Sequence, residues 1–320
     1  MSDLAVVTGA TGVIGVPLVR ALLDRGYDVR GIALDAGTEP GVEYVEADIR
    51  DPDAMGRALS GASLVFHLAA KLHTPNPDRS LRDEYVAINV DGTRNVVDAA
   101  ARTATGRLVF FSTIDVYGPT AGRPPVDEDE QTRPLSLYSE TKLAAEAVAR
   151  QLPGTIVLRL ASVYGPGMKG NYLRMLDAVA RRRFPILGSG RNRRTLVHVD
   201  DVVAAAMVVA TNAAIFPGPF NVTDGSVHTL REILDAMAGA VGVPPPRLRL
   251  PLAPVRVGVG VVERVLGSKA PLTRAAISKV TEDVAVSGRR FAQEFGHSPH
   301  IDLDAGWESV ASWWRARAEP

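Results

Sequence analysis

A tyrosine and a lysine four residues apart are the first residues of this chain that suggest chemistry. They are Tyr138 and Lys142, in the run Tyr138-Ser139-Glu140-Thr141-Lys142. Residues i and i+4 share one face of a helix. A phenol with a pKa of about 10 is a weak base at neutral pH, and a nearby ammonium lowers that value. The spacing therefore predicts a general acid/base whose phenol is made more acidic by Lys142.

Two further features of the sequence argue that this spacing is not a coincidence. Ser112-Thr113 ends a predicted strand, and a hydroxyl at the carboxyl end of a parallel strand lies where such sheets bind ligands. Much earlier in the chain, another predicted strand leads into a glycine-rich turn. A tyrosine and a lysine at this spacing are common by chance, but the three features together predict one catalytic site.

The glycine-rich turn has glycines three residues apart, in Val6-Val7-Thr8-Gly9-Ala10-Thr11-Gly12-Val13-Ile14-Gly15. Gly9 allows a tight turn, Gly12 lets the backbone approach a pyrophosphate, and Gly15 lets helix and sheet pack closely. The free N–H groups at the start of the following helix favour an anion. Glycines that serve only packing in an ordinary strand–turn–helix are the alternative. The position after the first strand favours a dinucleotide, and Lys142 could bond its nicotinamide ribose.

Two acidic residues bear on which dinucleotide is bound. Asp35 follows Gly15 by twenty residues, at the end of the second predicted strand. A carboxylate there accepts from ribose hydroxyls and repels a 2′-phosphate, which favours NAD. NADP stays possible, although Arg30 lies inside the strand and is a poor phosphate clamp. Asp48, after the next strand, either meets the adenine amine or caps the helix before Pro52.

These residues need a scaffold that brings them to one edge, and short apolar runs alternate with helical stretches through the first half of the chain. The predicted strands are Leu4–Thr8, Asp28–Leu34, Leu64–Leu68, Leu108–Ser112 and Thr155–Leu160, and the predicted helices are Val13–Asp24, Pro52–Leu59, Glu84–Ala101 and Tyr138–Gln151. The alternation predicts an α/β fold, a doubly wound parallel sheet covered by helices on both faces.

The regular alternation ends after Tyr164-Gly165-Pro166-Gly167. We therefore predict a dinucleotide-binding domain of residues 1–165 plus about 195–222, and a smaller C-terminal substrate-binding domain of about 166–194 and 223–320. Thr195–Val199 is predicted to be one more strand that returns to the first domain.

Composition excludes several other classes of protein. Thirty-six Lys and Arg balance thirty-six Asp and Glu, which argues against a nucleic-acid binder and against an anionic-membrane binder. The six arginines within 181–194 do not change this, because no aromatic residues alternate with them. The chain has no cysteine, so disulfides and thiolate sites are excluded. His297 and His300 lack a third ligand, and no metal site is predicted.

Neither apolar run of the second half is suited to a bilayer span. Val202–Phe216 is too short and Val255–Val262 is shorter still, so both are predicted to be buried helix or strand. The N-terminus shows no basic region and no cleavage site of small residues. We expect a soluble cytoplasmic protein. The loop Pro119–Pro134, with four consecutive acids at 127–130, is predicted to be solvated surface.

Taken in order, the motifs of this chain resemble the extended short-chain dehydrogenases/reductases, the NAD-dependent epimerase/dehydratase family. The likeness covers nearly the whole chain. Besides the motifs above, it is carried by Val65-Phe66-His67-Leu68-Ala69-Ala70, Asn89-Val90-Asp91-Gly92-Thr93, Val116-Tyr117-Gly118, Val163-Tyr164-Gly165-Pro166-Gly167, Arg194 before Val197-His198-Val199-Asp200-Asp201, and Glu294-Phe295-Gly296-His297-Ser298-Pro299.

The resemblance implies a Rossmann fold and a catalytic set of Thr113, Tyr138 and Lys142, with Tyr138 as acid/base and Thr113 bonded to the reacting oxygen. Asn171 and Arg194 match positions that hold the diphosphate of a nucleotide sugar. The expected cofactor-binding residues are Gly9, Gly12, Val13, Ile14, Gly15, Asp35, Asp48, Ile49, Leu68, Ala69, Ala70 and Lys142.

The activity implied is hydride transfer at a carbinol or ketone carbon. Within the family the chain resembles bacterial 4-ketoreductases and 4-epimerases of nucleotide sugars, so C4 of such a sugar is the expected centre. Asp115 stands where dehydratases carry Glu, but Ile114 replaces their adjacent Asp, and water elimination is not expected. Ser162 departs from the Asn of many 4-epimerases.

Two alternatives remain open. One is a 3β-hydroxysteroid-type dehydrogenase, which the segment 220–225 and the missing match for a late phosphate-binding arginine allow. The other is a non-catalytic NAD-binding regulatory protein, which would not need the proton donor Tyr138. Relatives commonly pair through the helices that correspond to Glu84–Ala101 and Tyr138–Gln151, so a homodimer is expected.

Overall fold

Seven parallel strands form the central sheet in the computed structural model, which describes residues 3–72, 79–103, 105–212, 218–266, 277–278 and 281–317. The strands are β1 Leu4–Thr8, β2 Asp28–Ala33, β3 Val42–Glu46, β4 Leu64–His67, β5 Arg107–Thr113, β6 Ile156–Leu160, β7 Ser162–Tyr164, β8 Ile186–Leu187, β9 Arg193–Arg194, β10 Leu196–His198, β11 Pro219–Val222, β12 His228–Thr229 and β13 Arg249–Leu250. The large sheet has the order β11-β6-β5-β4-β1-β2-β3.

The helices cover both faces of this sheet. They are α1 Gly15–Asp24, α2 Pro52–Ala58, α3 Arg82–Val86, α4 Gly92–Arg102, α5 Leu137–Ala149, α6 Asn171–Ala180, α7 Val199–Thr211, α8 Leu230–Val241, α9 Leu252–Leu266, α10 Arg289–Phe295 and α11 Leu303–Ala316. One hydrophobic core joins α1, α7 and α10 to one face of the sheet, and a second joins α2, α4 and α5 to the other face. The prediction of a doubly wound parallel sheet is confirmed.

The inner strands form because their apolar residues are buried on both sides, as a covered parallel sheet requires. Their registers align the carboxyl ends of neighbouring strands. Thr8 of β1 pairs with His67 of β4, and His67 pairs with Phe110 of β5. The residues that follow these strands therefore meet at one edge of the sheet.

A third hydrophobic cluster lies in the C-terminal half, where α6, α8 and α11 pack together. Trp307 of α11 is fully buried and stacks on Tyr164, with ring centroids 4.9 Å apart. A Cβ on Gly306 would meet the Tyr164 hydroxyl at 2.2 Å, so this contact depends on glycine. The separate cluster is what a smaller second domain would need, and the domain boundaries remain a prediction.

Four expectations from the sequence need correction. Thr195–Val199 does contain a strand, but β10 pairs with β7 in a separate two-stranded sheet, and β11 is the strand that returns to the main sheet. The predicted helix Glu84–Ala101 is broken by a π-helical turn, Ala87–Asp91. The Asn89 side chain within that turn accepts a hydrogen bond from Lys71 N at 2.7 Å and so ties the turn to the segment after β4.

The third correction concerns the apolar run Val255–Val262. It is helical, as part of α9, but it is not buried, because Val257 and Val261 are 68% and 60% exposed. Valines at every second position fall on different sides of a helix with 3.6 residues per turn, so they cannot all face one core. The run Val202–Phe216 is buried within α7, and its residues 213–216 lie outside the described part of the chain. Among the described residues, no helix combines the length and apolar character that a membrane span needs.

The acidic loop Pro119–Pro134 was expected to be solvated throughout, and this is wrong for Glu128. Glu128 is 8% exposed and accepts a hydrogen bond from Asn221 N at 2.7 Å. The loop is held by the extended segment of residues 283–287, which we call the clasp. Thr120 N donates to Asp283 O at 2.8 Å, and Val126 N donates to Ala285 O at 3.0 Å.

The other side of the clasp holds the backbone around β9. Val284 N donates to Arg193 O at 2.9 Å, and Thr195 N donates to Val284 O at 3.1 Å. The Arg193 guanidinium also pairs with the Asp283 carboxylate at 3.1 Å. The clasp therefore joins the acidic loop to the backbone of Arg193 and Thr195. Arg194 lies between these two residues.

Candidate active site

A line of contacts connects the glycine turn to Lys142 across the carboxyl edge of the sheet. Thr8 Oγ1 and His67 Nδ1 are 2.7 Å apart, and the His67 and Phe110 rings lie 5.6 Å apart. Lys142 Nζ lies 4.1 Å from the centroid of the Phe110 ring. Since Gly9 directly follows Thr8, the turn and Lys142 share one edge of the sheet.

The backbone of the turn is packed closely around its three glycine positions. Gly9 has φ +71°, and a Cβ there would meet Ala69 N at 3.0 Å. A Cβ on Gly15 would meet Gly9 O at 2.2 Å, and one on Gly12 would meet the same oxygen at 3.1 Å. Between them, Val13 and Ile14 lead into α1, whose first turn has no side-chain cap and no acidic residue. An uncapped helix start behind a close-packed turn fits a pyrophosphate.

Asp35 lies two residues beyond the end of β2 and is exposed. Thr11 Oγ1 of the glycine turn donates to Asp35 Oδ1 at 3.0 Å, so the structure places this carboxylate beside the turn, as predicted. Arg30 does not reach this point, because it pairs with Glu43 at 2.9 Å.

The other expected cofactor residues differ in accessibility. The Asp48 carboxylate accepts a hydrogen bond from Arg50 N at 2.9 Å. The N-cap of α2 is Asp51 and not Asp48. Ile49 is only 6% exposed and lies so close to Gly92 that a Cβ there would meet its Cδ1 at 2.7 Å. The segment Leu68–Ala70 follows β4 and is half-buried along the edge.

Thr113 and Tyr138 meet at the end of β5. The Thr113 side chain forms a hydrogen bond with the Tyr138 phenol. Tyr138 is positioned by α5, which begins with a capping box in which Ser136 Oγ accepts from Ser139 N at 3.1 Å. The two hydroxyls predicted to contact one reacting oxygen are therefore adjacent.

The electrostatics of the phenol differ from the prediction. Burial, together with the negative charge of Asp115, raises the pKa of Tyr138 above its ordinary value, and the hydrogen bond with Thr113 acts in the opposite direction. Burial also lowers the pKa of Lys142 to about 7, against the charge of Glu146. The phenol is therefore less acidic than an ordinary tyrosine, contrary to the expectation from the Lys142 spacing, because burial and Asp115 dominate its pKa. Tyr138 is thus protonated at neutral pH and suited to donate a proton.

A buried polar cluster behind the site was missed at the level of sequence. Glu146, one turn after Lys142, accepts from Ser112 Oγ at 2.5 Å and pairs with Arg159 Nη2 at 2.8 Å. Arg159 Nη1 also donates to the Tyr117 hydroxyl at 2.8 Å. The signals were an acid at i+4 from Lys142 and an arginine inside the apolar strand β6.

The main cleft opens in front of Tyr138 and has a volume of about 1370 Å³. Asn171, the first residue of α6, and Arg194 of β9 both line it, and their role in holding a diphosphate stays a prediction. The Arg194 guanidinium carries a buried Nη2 that has no hydrogen-bond partner among the described residues. Tyr172 lies nearby, since the charge of Arg194 acts on its phenol, and it forms a hydrogen bond with Ser162. The cleft thus joins a proton donor to an unpaired cationic donor.

Both ring nitrogens of His198 have hydrogen-bond partners. His198 Nε2 lies 3.0 Å from Ser309 Oγ, and Nδ1 accepts from Asp200 N at the start of α7. His297 and His300 rings are in edge contact at 5.4 Å. Within the described ranges, no three His, Cys, Asp or Glu side chains are grouped so that they could hold a metal ion.

Comparisons with known proteins agree with this geometry. The sequence profile of the "NAD dependent epimerase/dehydratase family" matches residues 5–223. A dTDP-glucose 4,6-dehydratase of Streptomyces griseus is 31% identical over an alignment of 339 positions. The alignment covers 98% of this chain and 94% of that protein. A 2-alkyl-3-oxoalkanoate reductase of Stenotrophomonas maltophilia is 28% identical over 327 residues, 94% of this chain and 96% of that protein.

Among solved structures, MoeE5 in complex with UDP-glucuronic acid and NAD superposes with a TM-score of 0.79. It is 27% identical, and the match covers 99% of this chain and 100% of that one. The likeness therefore extends from the sheet to the C-terminal cluster.

Proposed function

Because this chain belongs to the NAD-dependent epimerase/dehydratase family, we propose that it interconverts a carbinol and a ketone at C4 of a nucleotide-activated sugar. The reaction is either 4-epimerisation or 4-keto reduction, since both use the same residues. The observation that carries the proposal is the cleft between Tyr138 and Arg194. The buried Arg194 Nη2 has no hydrogen-bond partner among the described residues, and an unpaired buried donor lowers the stability of the protein. The planar guanidinium matches the geometry of phosphate oxygens, which would supply the acceptor.

The cofactor is NAD, and its nicotinamide supplies hydride chemistry when bound. The uncapped start of α1 and the glycine turn would hold its pyrophosphate, and Asp35 would accept from its adenosine ribose. Lys142 lies on the same edge and would bond the other ribose. These residues bind and orient, whereas the proton chemistry falls to α5 and β5.

The chain's own contribution to the reaction is a positioned proton. Tyr138 holds its proton at neutral pH and donates it to the ketone oxygen, while Thr113 binds both that oxygen and the phenol. In the reverse direction, the Tyr138 phenolate would take the proton of the carbinol, so oxidation requires that Tyr138 first lose its own proton. Lys142, with a pKa of about 7, is readily protonated when a phenolate forms beside it and would stabilise that charge.

The test is Tyr138→Phe, with Tyr27→Phe outside the cleft as the matched control. Loss of a general acid/base is expected to lower turnover of UDP- or dTDP-linked hexoses about 10²–10⁴-fold, with NAD affinity little changed. Tyr27→Phe should retain turnover. Turnover by Tyr138→Phe close to that of the unmodified protein would reject the enzymatic role and leave the regulatory alternative.

A second candidate is the dehydrogenation or reduction of a largely apolar carbinol or ketone, as in the 3β-hydroxysteroid alternative. Leu72 and Leu135 line the cleft and are 68% and 74% exposed, so an apolar substrate would find surface to cover. The 2-alkyl-3-oxoalkanoate reductase among the relatives agrees with it. Turnover of long-chain 3-oxo compounds or of 3β-hydroxysteroids, with none of nucleotide sugars, would favour this candidate.

Whether NAD stays bound to the purified protein distinguishes an epimerase from a reductase. An epimerase regenerates its cofactor within one turnover, whereas a reductase must exchange it. Mass analysis of purified protein should therefore find bound NAD if the chain is an epimerase. Release of the cofactor and consumption of added NADH with a 4-keto sugar would indicate a reductase.

A further inference from the structure

Asp115 places a carboxylate in the same cleft as the proton donor. It lies two residues after Thr113, in the 3-10 turn Ile114–Tyr117, and it is half-buried. Its backbone N–H donates to Thr113 Oγ1 at 3.2 Å, which fixes the turn relative to the hydroxyl that contacts Tyr138. Asp115 and Tyr138 both line the cleft. The Asp115 carboxylate therefore belongs to the cleft that contains the proposed proton donor.

The charge of Asp115 reaches both phenols of the cleft. After burial, it is the main factor that raises the pKa of Tyr138. It also contributes to the raised pKa of Tyr172, where burial is the largest cause and Arg194 acts in the opposite direction. Asp115, Tyr138 and Tyr172 also line the same cleft.

No cation on the described surface of the cleft neutralises this carboxylate. Arg82 is paired with Glu140 at 2.9 Å. The cations within 169–174 are exposed, on the segment that leads into α6 and in its first turn. Arg194 is assigned to the diphosphate under the proposed function. A second anionic group of a ligand beside Asp115 would therefore meet a carboxylate that no ion pair among the described residues neutralises.

We propose that Asp115 determines substrate class by accepting a hydrogen bond from a hydroxyl near C4 and by excluding sugars with a carboxylate at C6. This inference rests on the proposed function. A hydroxyl that donates to a carboxylate gains a charge-assisted hydrogen bond, whereas two carboxylates in a water-poor cleft repel each other. The substrate is then a neutral nucleotide hexose and not a nucleotide uronic acid. MoeE5 was crystallised both with UDP-glucuronic acid and with UDP-glucose, so the proposal gives this chain a narrower choice of ligand.

The experiment measures binding of UDP, UDP-glucose, UDP-galactose and UDP-glucuronic acid to the NAD-loaded protein by calorimetry. We expect UDP-glucuronic acid to bind at least about tenfold more weakly than the better neutral sugar. Asp115→Asn should reduce this difference to about threefold or less, mainly by tighter binding of the uronic acid. Asp24→Asn removes the same charge from the exposed end of α1 and should leave the difference unchanged.

The outcomes separate this inference from the function on which it rests. If neutral UDP-sugars bind but UDP-glucuronic acid binds equally well to the unmodified protein, the inference is wrong and the proposed function stands. The same holds if Asp115→Asn and Asp24→Asn give the same discrimination. If neither UDP nor any UDP-sugar binds, and dTDP-glucose does not bind either, the proposed function itself is overturned.

Discussion

Glu146 and Arg159 form an ion pair in which Nη2 and Oε2 are 2.8 Å apart and the side chains are 0% and 5% exposed. The pair joins α5 to β6, and the hydrogen bond from Ser112 to Glu146 extends the link to β5. Tyr138 and Lys142 lie on α5, while Thr113 ends β5. The relative placement of the three proposed catalytic residues therefore depends on one buried carboxylate.

Arg159→Met is expected to lower the free energy of unfolding by about 3–5 kcal/mol, because it leaves the Glu146 carboxylate buried without its cation. The double variant Arg159→Met/Glu146→Gln should lose less than the sum of the two single variants. Urea denaturation measures both values. The exposed pair Arg231–Asp235, at 3.0 Å, gives the control, and Arg231→Met should change the free energy by less than about 0.5 kcal/mol. Additive losses at the buried pair would contradict the coupling.

The buried Lys142 predicts a pH-dependent stability in protein without added nucleotide. Its folded pKa of about 7 lies below that of an unfolded lysine, so between pH 7 and 10 the unfolded chain binds more protons. Unfolding free energy contributed by this group should therefore rise with pH across that window, by up to about 1.4 kcal/mol per pH unit. Lys142→Met should abolish this contribution. Denaturation of both proteins at pH 7, 8 and 9 tests it, and parallel pH curves would refute it.

Gly15→Ala should impair the cofactor site because the new Cβ would lie 2.2 Å from Gly9 O and 2.7 Å from Ala10 C. Backbone atoms cannot yield as a flexible side chain does, so the turn itself must move. We expect NAD affinity to fall at least about tenfold by titration, since backbone N–H groups position the pyrophosphate. Gly239→Ala on α8 meets no atom within 4 Å and should keep full affinity, with stability equal or up to about 1 kcal/mol higher. Normal NAD binding by Gly15→Ala would show that the turn does not contact the cofactor.

Asp35→Ser should shift cofactor preference toward NADP. The carboxylate beside Thr11 would repel a 2′-phosphate, and its removal deletes both the repulsion and a ribose hydrogen bond. The ratio of NAD to NADP dissociation constants is expected to change by at least about tenfold. Asp24→Asn serves again as a distant charge control. An unchanged ratio would place the adenosine ribose elsewhere.

Much of the fold follows from sequence because inner strands such as β1 and β4 are short and almost entirely apolar, as expected for strands of a parallel sheet covered by helices on both faces. The topology then brings Gly9 and Thr113 to one edge without further information. The partner of β10 could not be predicted, because Leu196–His198 is equally apolar whether it joins the main sheet or pairs with β7.

The parts of the site that sequence did not predict depend on distant partners. The burial of Glu128 requires Asn221, which lies 93 residues further along the chain. The raised pKa of Tyr138 depends on how deeply the phenol is buried and on the position of Asp115, and spacing to Lys142 reveals neither. Glu146 was the accessible exception, since its distance of four residues from Lys142 was visible in the sequence.

The clasp affects the order in which the protein is assembled during synthesis. Residues 1–222 contain every strand of the large sheet and the glycine turn, so the cofactor half can begin to fold while the chain is still being made. The backbone and the guanidinium of Arg193 can be fixed only after Asp283, 90 residues later, has been synthesised. The Arg194 end of the cleft is consequently completed later in synthesis than the sheet that faces it.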